Sequence, residues 1–274
     1  MSESCSGNCD SCGESCESRG QESLLAEANP KSHVKKVIAV VSGKGGVGKS
    51  TVTSLIASSL RKAGKSVAIL DADITGPSIP KAFGVSECTA AGDDGILPAV
   101  SRDGVQIMSI NLLLDEETSP VLWRGPILAG VVKQFWSDVI WGDVDYMFVD
   151  MPPGTGDVPL TVFQSLPIDG IILVASPQSL VSMIVSKAVN MAQMMKVPVL
   201  GFVENYSYFE CPGCGKRVEI FGKSSLDRTA ADFGLPVLAR LPIDPHVAEL
   251  FDEGKIEDAD ASGLSGVIDR LKML

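Results

Sequence analysis

The sequence predicts an α/β fold, a mostly parallel sheet flanked by helices. From residue 34 onward, short runs of β-branched and aliphatic residues alternate with longer helical stretches. Several of the short runs are apolar on both faces, as buried parallel strands tend to be. A glycine-rich turn over residues 43–48 joins the first such run to a helical stretch. These observations together favour a parallel sheet with helical crossovers.

Seven runs are predicted strands, and six stretches are predicted helices. The strands are 36–41, 66–70, 105–110, 145–149, 170–175, 199–203 and 237–241. The helices are 49–63, 127–139, 179–195, 224–233, 245–253 and 264–274. The glycines and prolines of residues 74–105 predict a long excursion between two strands.

The chain is expected to form one domain, residues 34–274, preceded by a tail, residues 1–33. The strands and their crossover helices account for the domain, and no internal repeat is evident. The tail is rich in Ser, Glu and Gly and has almost no large apolar side chain before Leu24. Too little apolar surface is present to offset the entropy of ordering, so the tail is expected to be flexible.

The charge and the apolar pattern exclude several classes of protein. The 274 residues carry 34 acidic and 23 basic side chains, a formal charge of -11, which argues against bulk binding to nucleic acid. A nucleotide held by a few cations and amides fits better. No apolar stretch approaches the roughly 20 residues of a membrane span. The first thirty residues, with six acids and one base, lack the pattern of a secretory signal. We therefore expect a cytoplasmic protein without membrane or nucleic-acid partners.

The glycine-rich turn matches the phosphate-binding pattern G-x-x-x-x-G-K-[ST] between a strand and a helix. Its residues are Gly43, Lys44, Gly45, Gly46, Val47, Gly48, Lys49, Ser50 and Thr51. Glycines let the backbone amides surround a phosphate, and the following helix adds the positive end of its dipole. Lys49 is expected to neutralise the outer phosphates, and Ser50 to complete a magnesium shell. The alternative is a turn that only joins strand to helix.

Three acids end predicted strands beside this loop, where open α/β sheets bind ligands. Asp73 is expected to orient or deprotonate the attacking water, or to bind magnesium through water. Asp71 is expected to hold either the magnesium shell or the loop. Asp150 closes an apolar strand, as at a Walker B position, where a carboxylate binds magnesium through water. For each acid, strand-end capping or a surface position is the alternative.

Two of the seven cysteines form a Cys-Pro-Gly-Cys pair, Cys211 and Cys214. Two thiolates at this spacing bind one metal, but they make only half a site. A two-fold dimer would supply four thiolates at a subunit interface, a set that suits zinc or an iron-sulfur cluster. Cys88 is expected to be a small packed side chain.

Four further cysteines lie in the tail, at Cys5, Cys9, Cys12 and Cys16. This segment is a candidate for binding a cluster or a zinc ion, or for passing a cluster to the Cys211–Cys214 pair. A redox-sensitive tail is the alternative.

The phosphate loop resembles the deviant Walker A group of P-loop ATPases, the MinD and ParA relatives with the motif KGGxGK[ST]. This resemblance implies a P-loop NTPase fold and ATP sandwiched between two copies. It also implies that Lys44 reaches the nucleotide of the other subunit. A lysine exposed at the loop rim is the alternative.

Six motifs between residues 34 and 247 together resemble the Mrp/ApbC family of ATP-dependent iron-sulfur cluster carriers. They are KGGVGKST, DADITGPSIP, LWRGPI, DMPPGTGD, ENYSYFECPGCGK and LPIDPHV. The resemblance implies a slow ATPase that takes a labile 4Fe-4S cluster from a donor and transfers it to apo-proteins. It also implies a homodimer that binds the cluster through Cys211 and Cys214.

For the nucleotide base, the same resemblance implies that Asn205 contacts adenine and that the Pro242 to Asp244 loop lines the pocket. Tyr206 replaces the family's usual methionine. The tail spacing C-x3-C-x2-C-x3-C differs from the longer cysteine motif of the eukaryotic cytosolic relatives.

Two other functions stay open. One is a MinD/ParA-like positioning ATPase that places its C-terminal helix on a membrane, although core packing explains that helix's apolar stripe better. The stripe consists of Leu264, Val267, Ile268 and Leu271. The other is a zinc-bridged nucleotide-binding scaffold, which would be colourless. Arg124 is assigned either to a phosphate or partner contact or to a surface ion pair.

Overall fold

The computed structural model describes most of the chain from residue 25 to the C-terminus. The described ranges are 25–74, 76–87, 89–90, 95–113, 125–154, 156–178 and 181–274. The tail cysteines, Cys88 and Arg124 lie outside these residues.

The predicted parallel sheet is confirmed. Within the described ranges, the strands are β1 (His33–Ser42), β2 (Val67–Asp71), β3 (Thr89–Ala90), β4 (Ile96–Leu97), β5 (Ala99–Val100), β6 (Gln106–Met108), β7 (Asp143–Asp150), β8 (Gly170–Ala175), β9 (Val199–Glu210), β10 (Arg217–Val218) and β11 (Val237–Pro242). The main sheet has the order β10-β9-β8-β1-β7-β2-β6-β5, and β11 also pairs with β9. All seven predicted strands run parallel in it, while β5 and β10 are antiparallel additions.

Helices cover both faces of the sheet. They are α1 (Lys49–Lys62), α2 (Ile79–Phe83), α3 (Gly125–Ser137), α4 (Asp157–Ser165), α5 (Val181–Met194), α6 (Leu226–Phe233), α7 (Pro245–Asp252) and α8 (Ser265–Lys272). Helices α3 to α6 pack on one face, and α1, α2, α7 and α8 on the other. The central strand β1 is buried from Val37 onward because both of its edges and both of its faces are covered.

The carboxyl ends of the central strands place three polar residues at one edge. Ser42 ends β1, Asp71 ends β2 and Asp150 ends β7. Asp71 and Asp150 are direct neighbours in the pairing of β2 with β7. Since β1 also pairs with β7, this edge forms the floor beneath the loop that follows β1.

The structure contains elements that the sequence did not predict, among them the short strands β3, β4, β5 and β10. Helices α2 and α4 were not predicted, since each is short and carries a proline in its first turn. Strand β9 continues to Glu210 instead of ending at residue 203. Polar residues such as Glu204 and Asn205 resemble a loop in sequence, yet β11 and β10 provide the hydrogen-bonding partners that extend the strand.

The C-terminal stripe packs in the core, as predicted. Leu264, Val267 and Leu271 have no exposed side-chain surface, and Ile268 packs against the same cluster. Among the residues that the structure describes, no helix is long and apolar enough to cross a membrane.

Some of the residues that precede position 34 already contact the domain. The Ala26 amide donates to the Ser165 carbonyl (2.7 Å), and the Trp136 indole donates to the Ala26 carbonyl (3.0 Å). Asn29 is buried. Residues 26–33, which the sequence assigned to the tail, therefore follow the ends of α3 and α4 into β1.

Candidate functional site

The loop between β1 and α1 is shaped by a contact that only glycine permits. Gly48 has a φ of 75° and stands directly before α1. A Cβ at this position would collide with Asn205 Nδ2 and would lie 2.8 Å from the Tyr206 hydroxyl. The Asn205 amide in turn donates to the Val47 carbonyl (3.0 Å). Strand β9 thus holds the phosphate loop from the side.

The second lysine of the loop lies in a buried acidic cluster. Lys49 Nζ is 2.7 Å from Asp150 Oδ2 and 3.7 Å from Asp73 Oδ2. The Ser50 hydroxyl donates to Asp150 Oδ2 (2.6 Å), and the Thr53 hydroxyl lies 2.8 Å from Asp150 Oδ1. Asp150 is fully buried. Its carboxylate is therefore balanced by the same lysine and hydroxyl that phosphate and magnesium would engage.

Asp71 lies beneath the cleft and does not line it. It is fully buried and accepts hydrogen bonds from the Ser109 hydroxyl (3.1 Å) and the Asp73 amide (3.1 Å). Burial, together with the neighbouring Asp150 carboxylate, raises the pKa of Asp71 well above its ordinary value. Of its two predicted roles, this position favours holding the loop that carries Asp73.

A cleft of about 250 Å³ opens above these residues. It is lined by Ser42, Gly45, Gly46, Gly48, Lys49, Ser50, Thr51, Asp73, Ser78, Pro153, Tyr206 and Phe251. Backbone amides, one lysine and hydroxyls converge here with one carboxylate, a set suited to phosphates with a divalent cation. Lys44 is exposed at the rim, and its ammonium donates to Gln178 Oε1 (3.1 Å).

A second, mostly apolar pocket adjoins the cleft and shares Thr51 and Tyr206 with it. Its other lining residues are Leu55, Asn205, Leu241, Pro242, Asp244, Val247, Ala248 and Asp260. Asp244 accepts from the His246 amide (2.9 Å) and so begins α7. The pocket thus brings together the three residues predicted to contact the base: Asn205, Pro242 and Asp244.

Tyr206 connects the two cavities through an uncommon backbone conformation. Its φ is 59°, in the left-handed region that non-glycine residues seldom adopt. This conformation places its ring beside Gly48. The sequence singled out Tyr206 only as a departure from methionine, whereas the structure makes it a wall of both cavities.

The cysteine pair stands at the tip of a hairpin formed by β9 and β10. The Cys211 amide donates to the Lys216 carbonyl (3.0 Å), and the Gly215 amide donates to the Cys211 carbonyl (2.8 Å). Backbone amides of Gly213 and Cys214 and the Cys214 thiol donate to Cys211, which lowers the pKa of the Cys211 thiol. Cys214 is exposed and Cys211 half-buried.

The hairpin offers two thiols as possible metal ligands. Among the described residues, no group of three or more His, Cys, Asp or Glu side chains is arranged to hold a metal ion. A metal bound by these two thiols would need further ligands from outside the described residues.

Strand β9 joins the two parts of the site. Asn205 and Cys211 are six residues apart on or directly after this strand, a separation of at most about 20 Å. The sequence did not identify Gln178 or Phe251 as site residues. Neither has a local sequence signal, because each reaches the site only through the fold.

The loop, its acidic cluster and the parallel sheet define a P-loop NTPase of the MinD and ParA type. MinD of Pyrococcus furiosus shares this fold, with a TM-score of 0.63 and 20% identity, over 87% of this chain and 98% of that one. A nucleotide-binding protein of Archaeoglobus fulgidus, solved in complex with ADP, is more similar. It has a TM-score of 0.75 and 43% identity, over 83% of this chain and 89% of that one.

Comparison with related sequences identifies the family within this class. The family model for ParA, described as the NUBPL iron-transfer P-loop NTPase, matches residues 33–271. An iron-sulfur cluster carrier protein of Methanocaldococcus jannaschii is 45% identical over 257 residues, 91% of this chain and 89% of that protein. One of Clostridium perfringens is 43% identical over 268 residues, 92% and 94% of the two chains. The chain belongs to the family of iron-transfer P-loop NTPases.

Proposed function

We propose that this protein is an ATPase that carries an iron-sulfur cluster. Two copies would bind a labile 4Fe-4S cluster, as cargo, through Cys211 and Cys214 of each. The cluster would come from a donor and pass to apo-proteins. Relatives named iron-sulfur cluster carriers that span nearly the whole chain support this role.

The observation that carries the proposal is the accessible thiol pair in the turn directly after β9, the strand that also contacts the phosphate loop. Cys211 and Cys214 offer two ligands, and the described residues supply no third. A cluster with four thiolate ligands is completed if a two-fold axis brings a second hairpin opposite the first. The exposure of Cys214 leaves that approach open.

The phosphate cleft supports the nucleotide half of the proposal. Lys49 would bind the outer phosphates, and Ser50 would hold magnesium together with Asp150 and Asp73 through water. Magnesium supplies charge neutralisation at the phosphates. Asp73 lines the cleft, where it would orient or deprotonate the attacking water. Lys44, exposed at the rim, would reach the nucleotide of the second copy.

In the working cycle, the dimer would close over ATP and would relax after hydrolysis, and this movement would change the affinity of the cysteine pair for its cargo. The base pocket and the hairpin share strand β9, which supports such coupling. The coupling requires that the two nucleotide states differ in their contacts with this strand.

A membrane-positioning ATPase is a weaker candidate. Its C-terminal helix would have to present an apolar face, but Val267 and Leu271 of α8 are buried in the core. A zinc-bridged scaffold would use the same thiols, and an experiment separates it from the carrier.

The test is anaerobic reconstitution of the full chain with iron and sulfide. Visible absorption and metal per dimer are measured for wild type, for the double variant Cys211→Ala, Cys214→Ala and for the control Cys88→Ala. We expect a brown chromophore in wild type and in the control, with a loss in the double variant.

The remaining outcomes point elsewhere. If the double variant retains all the iron, the tail cysteines hold the cluster and the proposed site is wrong. A colourless wild type with bound zinc would support the scaffold instead.

A further inference from the structure

A buried carboxylate outside both cavities links them to the cysteine hairpin. Glu204 on β9 has no exposed surface. Its side chain accepts from the Ser207 hydroxyl (2.6 Å), from the Ser224 hydroxyl and from Arg240 Nε (3.3 Å). Arg240 also donates to Asp227 Oδ1 (2.5 Å). A carboxylate removed from water is tolerated only when its lone pairs are met in this way.

The three donors belong to three different parts of the chain. Ser207 lies on β9 itself, and Arg240 is on β11, opposite Glu204 in the strand pairing. Ser224 lies after the hairpin, where its hydroxyl also accepts from the Leu226 amide (3.0 Å) at the start of α6. Glu204 therefore ties β9, β11 and the chain that leaves the hairpin to one point.

Each of these parts continues to the phosphate loop, the base pocket or the cysteine turn. On β9, the next residue after Glu204 is Asn205, which holds the phosphate loop at Val47. Strand β11 ends at Pro242, in the wall of the base pocket. The hairpin that carries Cys211 and Cys214 begins at the end of β9 and returns through β10 towards Ser224.

A polar cleft between the hairpin and α6 places the network next to the cysteine turn. Its lining includes Glu204, Ser224 and Arg240 together with Lys216 and Arg217, which directly follow the cysteine turn. The guanidinium of Arg217 stacks over the Tyr208 ring of β9, 4.4 Å from its centre. The network and this stacked pair therefore give two contacts through which a shift of β9 at the nucleotide would reach the hairpin.

We propose that Glu204 is a positioning residue that couples the nucleotide state to the exposure of Cys211 and Cys214. It would do so by fixing β9, β11 and the end of the hairpin as one unit, so that movement at Asn205 is passed to the cysteine turn. The inference rests on the proposed function for its biological meaning. The coupling itself concerns only this chain's own residues and is measurable without a cluster.

The physical basis is that hydrogen bonds and ion pairs fix the relative positions of the groups they join, whereas apolar contacts are not directional. Loss of Arg240 would leave the buried carboxylate without its counter-charge, and loss of a serine would leave it with an unmet hydrogen bond. The elements that supply these donors are therefore expected to move with it. Glu204→Gln keeps the side-chain volume but places an amide donor or a neutral oxygen opposite Arg240. The ion pair is lost while no cavity forms.

The experiment measures alkylation of Cys211 and Cys214 by iodoacetamide in the reduced, metal-free full chain. Peptide mass spectrometry gives the rate for each cysteine with saturating Mg-AMP-PNP and with saturating Mg-ADP. In wild type we expect the two rates to differ by about five-fold or more, the lower range of allosteric coupling. In Glu204→Gln the ratio should fall to within about two-fold of unity.

Glu257→Gln is the matched control. Glu257 is also a buried glutamate, and its carboxylate accepts from the Ser101 hydroxyl (2.5 Å) and lies 4.0 Å from Arg102. This network joins the C-terminal region to residues 101–103, remote in sequence from the hairpin. The control should lose stability as Glu204→Gln does but keep the wild-type ratio of rates.

Arg240→Gln provides a second route if Glu204→Gln does not fold. Its side chain is 39% exposed, so its replacement disturbs the core less. Arg240→Gln should also bring the ratio of the two alkylation rates towards unity. Nucleotide affinity is measured for every variant, so that weak binding is not mistaken for lost coupling.

Three results would overturn the inference: a wild-type ratio near unity, a Glu204→Gln ratio equal to that of wild type, or an equal loss in Glu257→Gln. Failure of the carrier function is separate. It appears as absence of a cluster in reconstituted wild type, whatever the alkylation rates show.

Discussion

Asp71 and Asp150 lie side by side on neighbouring strands, and both carboxylates are fully buried. Asp150 has Lys49 as a direct counter-charge at 2.7 Å, whereas the direct partners of Asp71 are a hydroxyl and an amide. Burial and the neighbouring Asp150 carboxylate raise the pKa of Asp71, which has no cation in direct contact among the described residues. At the scale of the residue, Asp71 is a buried carboxyl group whose surroundings favour the protonated form.

Asp71→Asn should therefore change how stability depends on pH. Below the unfolded pKa of about 3.9, Asp71 is protonated in both states and costs nothing. As pH rises from there towards the raised folded pKa, the unfolded state loses its proton first, so wild type loses stability. The substituted side chain cannot ionise, and its amide group can still bond Ser109 and the Asp73 amide.

The measurement is the melting temperature of nucleotide-free protein from pH 4 to pH 8. The difference, variant minus wild type, should be near zero at pH 4 and become more positive as pH rises. A constant or falling difference would show that ionisation of Asp71 does not destabilise the folded protein.

At the scale of elements, α2 and α7 meet through their C-terminal glycines. Gly84 has a φ of 64° and Gly254 a φ of 72°, and a Cβ on Gly254 would lie 2.7 Å from Gly84 Cα. Helix α2 follows the Asp73 loop, and α7 carries Phe251 of the phosphate cleft. The backbone contact thus fixes the distance between two walls of the nucleotide site.

Gly254→Ala should separate these helices, whereas Gly234→Ala should not disturb packing. Both substitutions incur roughly 1–2 kcal/mol of left-handed backbone strain. At Gly234, which ends α6 at φ 65°, an added Cβ meets nothing within 4 Å. Gly254→Ala adds an overpacking cost of about 1–3 kcal/mol.

Thermal unfolding checks this pair. Gly254→Ala should melt below Gly234→Ala by roughly 2–4 °C for each added kcal/mol. It should also weaken ADP binding, measured by calorimetry, because the cleft walls move. Equal melting temperatures would mean that α2 and α7 adjust without cost.

At the scale of the molecule, the nucleotide site and the cysteine hairpin both include residues of β9. Neither Cys211 nor Cys214 lines the two cavities of the nucleotide site. Nucleotide binding should therefore stabilise the whole domain, because the site draws on β1, α1, β9, β11 and α7 together. Residues 212–220, at the tip of the hairpin and after it, are exposed and contribute little to that core. Substitutions at the cysteines should therefore leave nucleotide binding unchanged.

Mg-ADP at about 100 times its Kd should stabilise the wild-type chain by about 2.7 kcal/mol. The corresponding rise in melting temperature is roughly 5–10 °C. The double variant Cys211→Ala, Cys214→Ala should show the same rise. Asn205→Ala should show a smaller one, because the contact with Val47 is lost. A smaller rise in the cysteine variant would place the hairpin within the nucleotide site.

Much of this molecule follows from local sequence. Apolar runs predicted all seven parallel strands, and the order of loop, acids and cysteine pair along the chain predicted which residues stand at strand ends. These features are readable because strand burial and loop chemistry depend on neighbours a few residues apart.

Contacts between distant segments were decided by the tertiary structure. The extension of β9 to Glu210 depends on hydrogen bonds from β10 and β11, and the left-handed Tyr206 on its packing against Gly48. The burial of Glu204 depends on Ser224 and Arg240, 20 and 36 residues away. The type of a residue is known from the sequence, but its contacts with distant segments form only when the chain folds. The hydrogen-bond network around Glu204 was therefore decided by the tertiary structure.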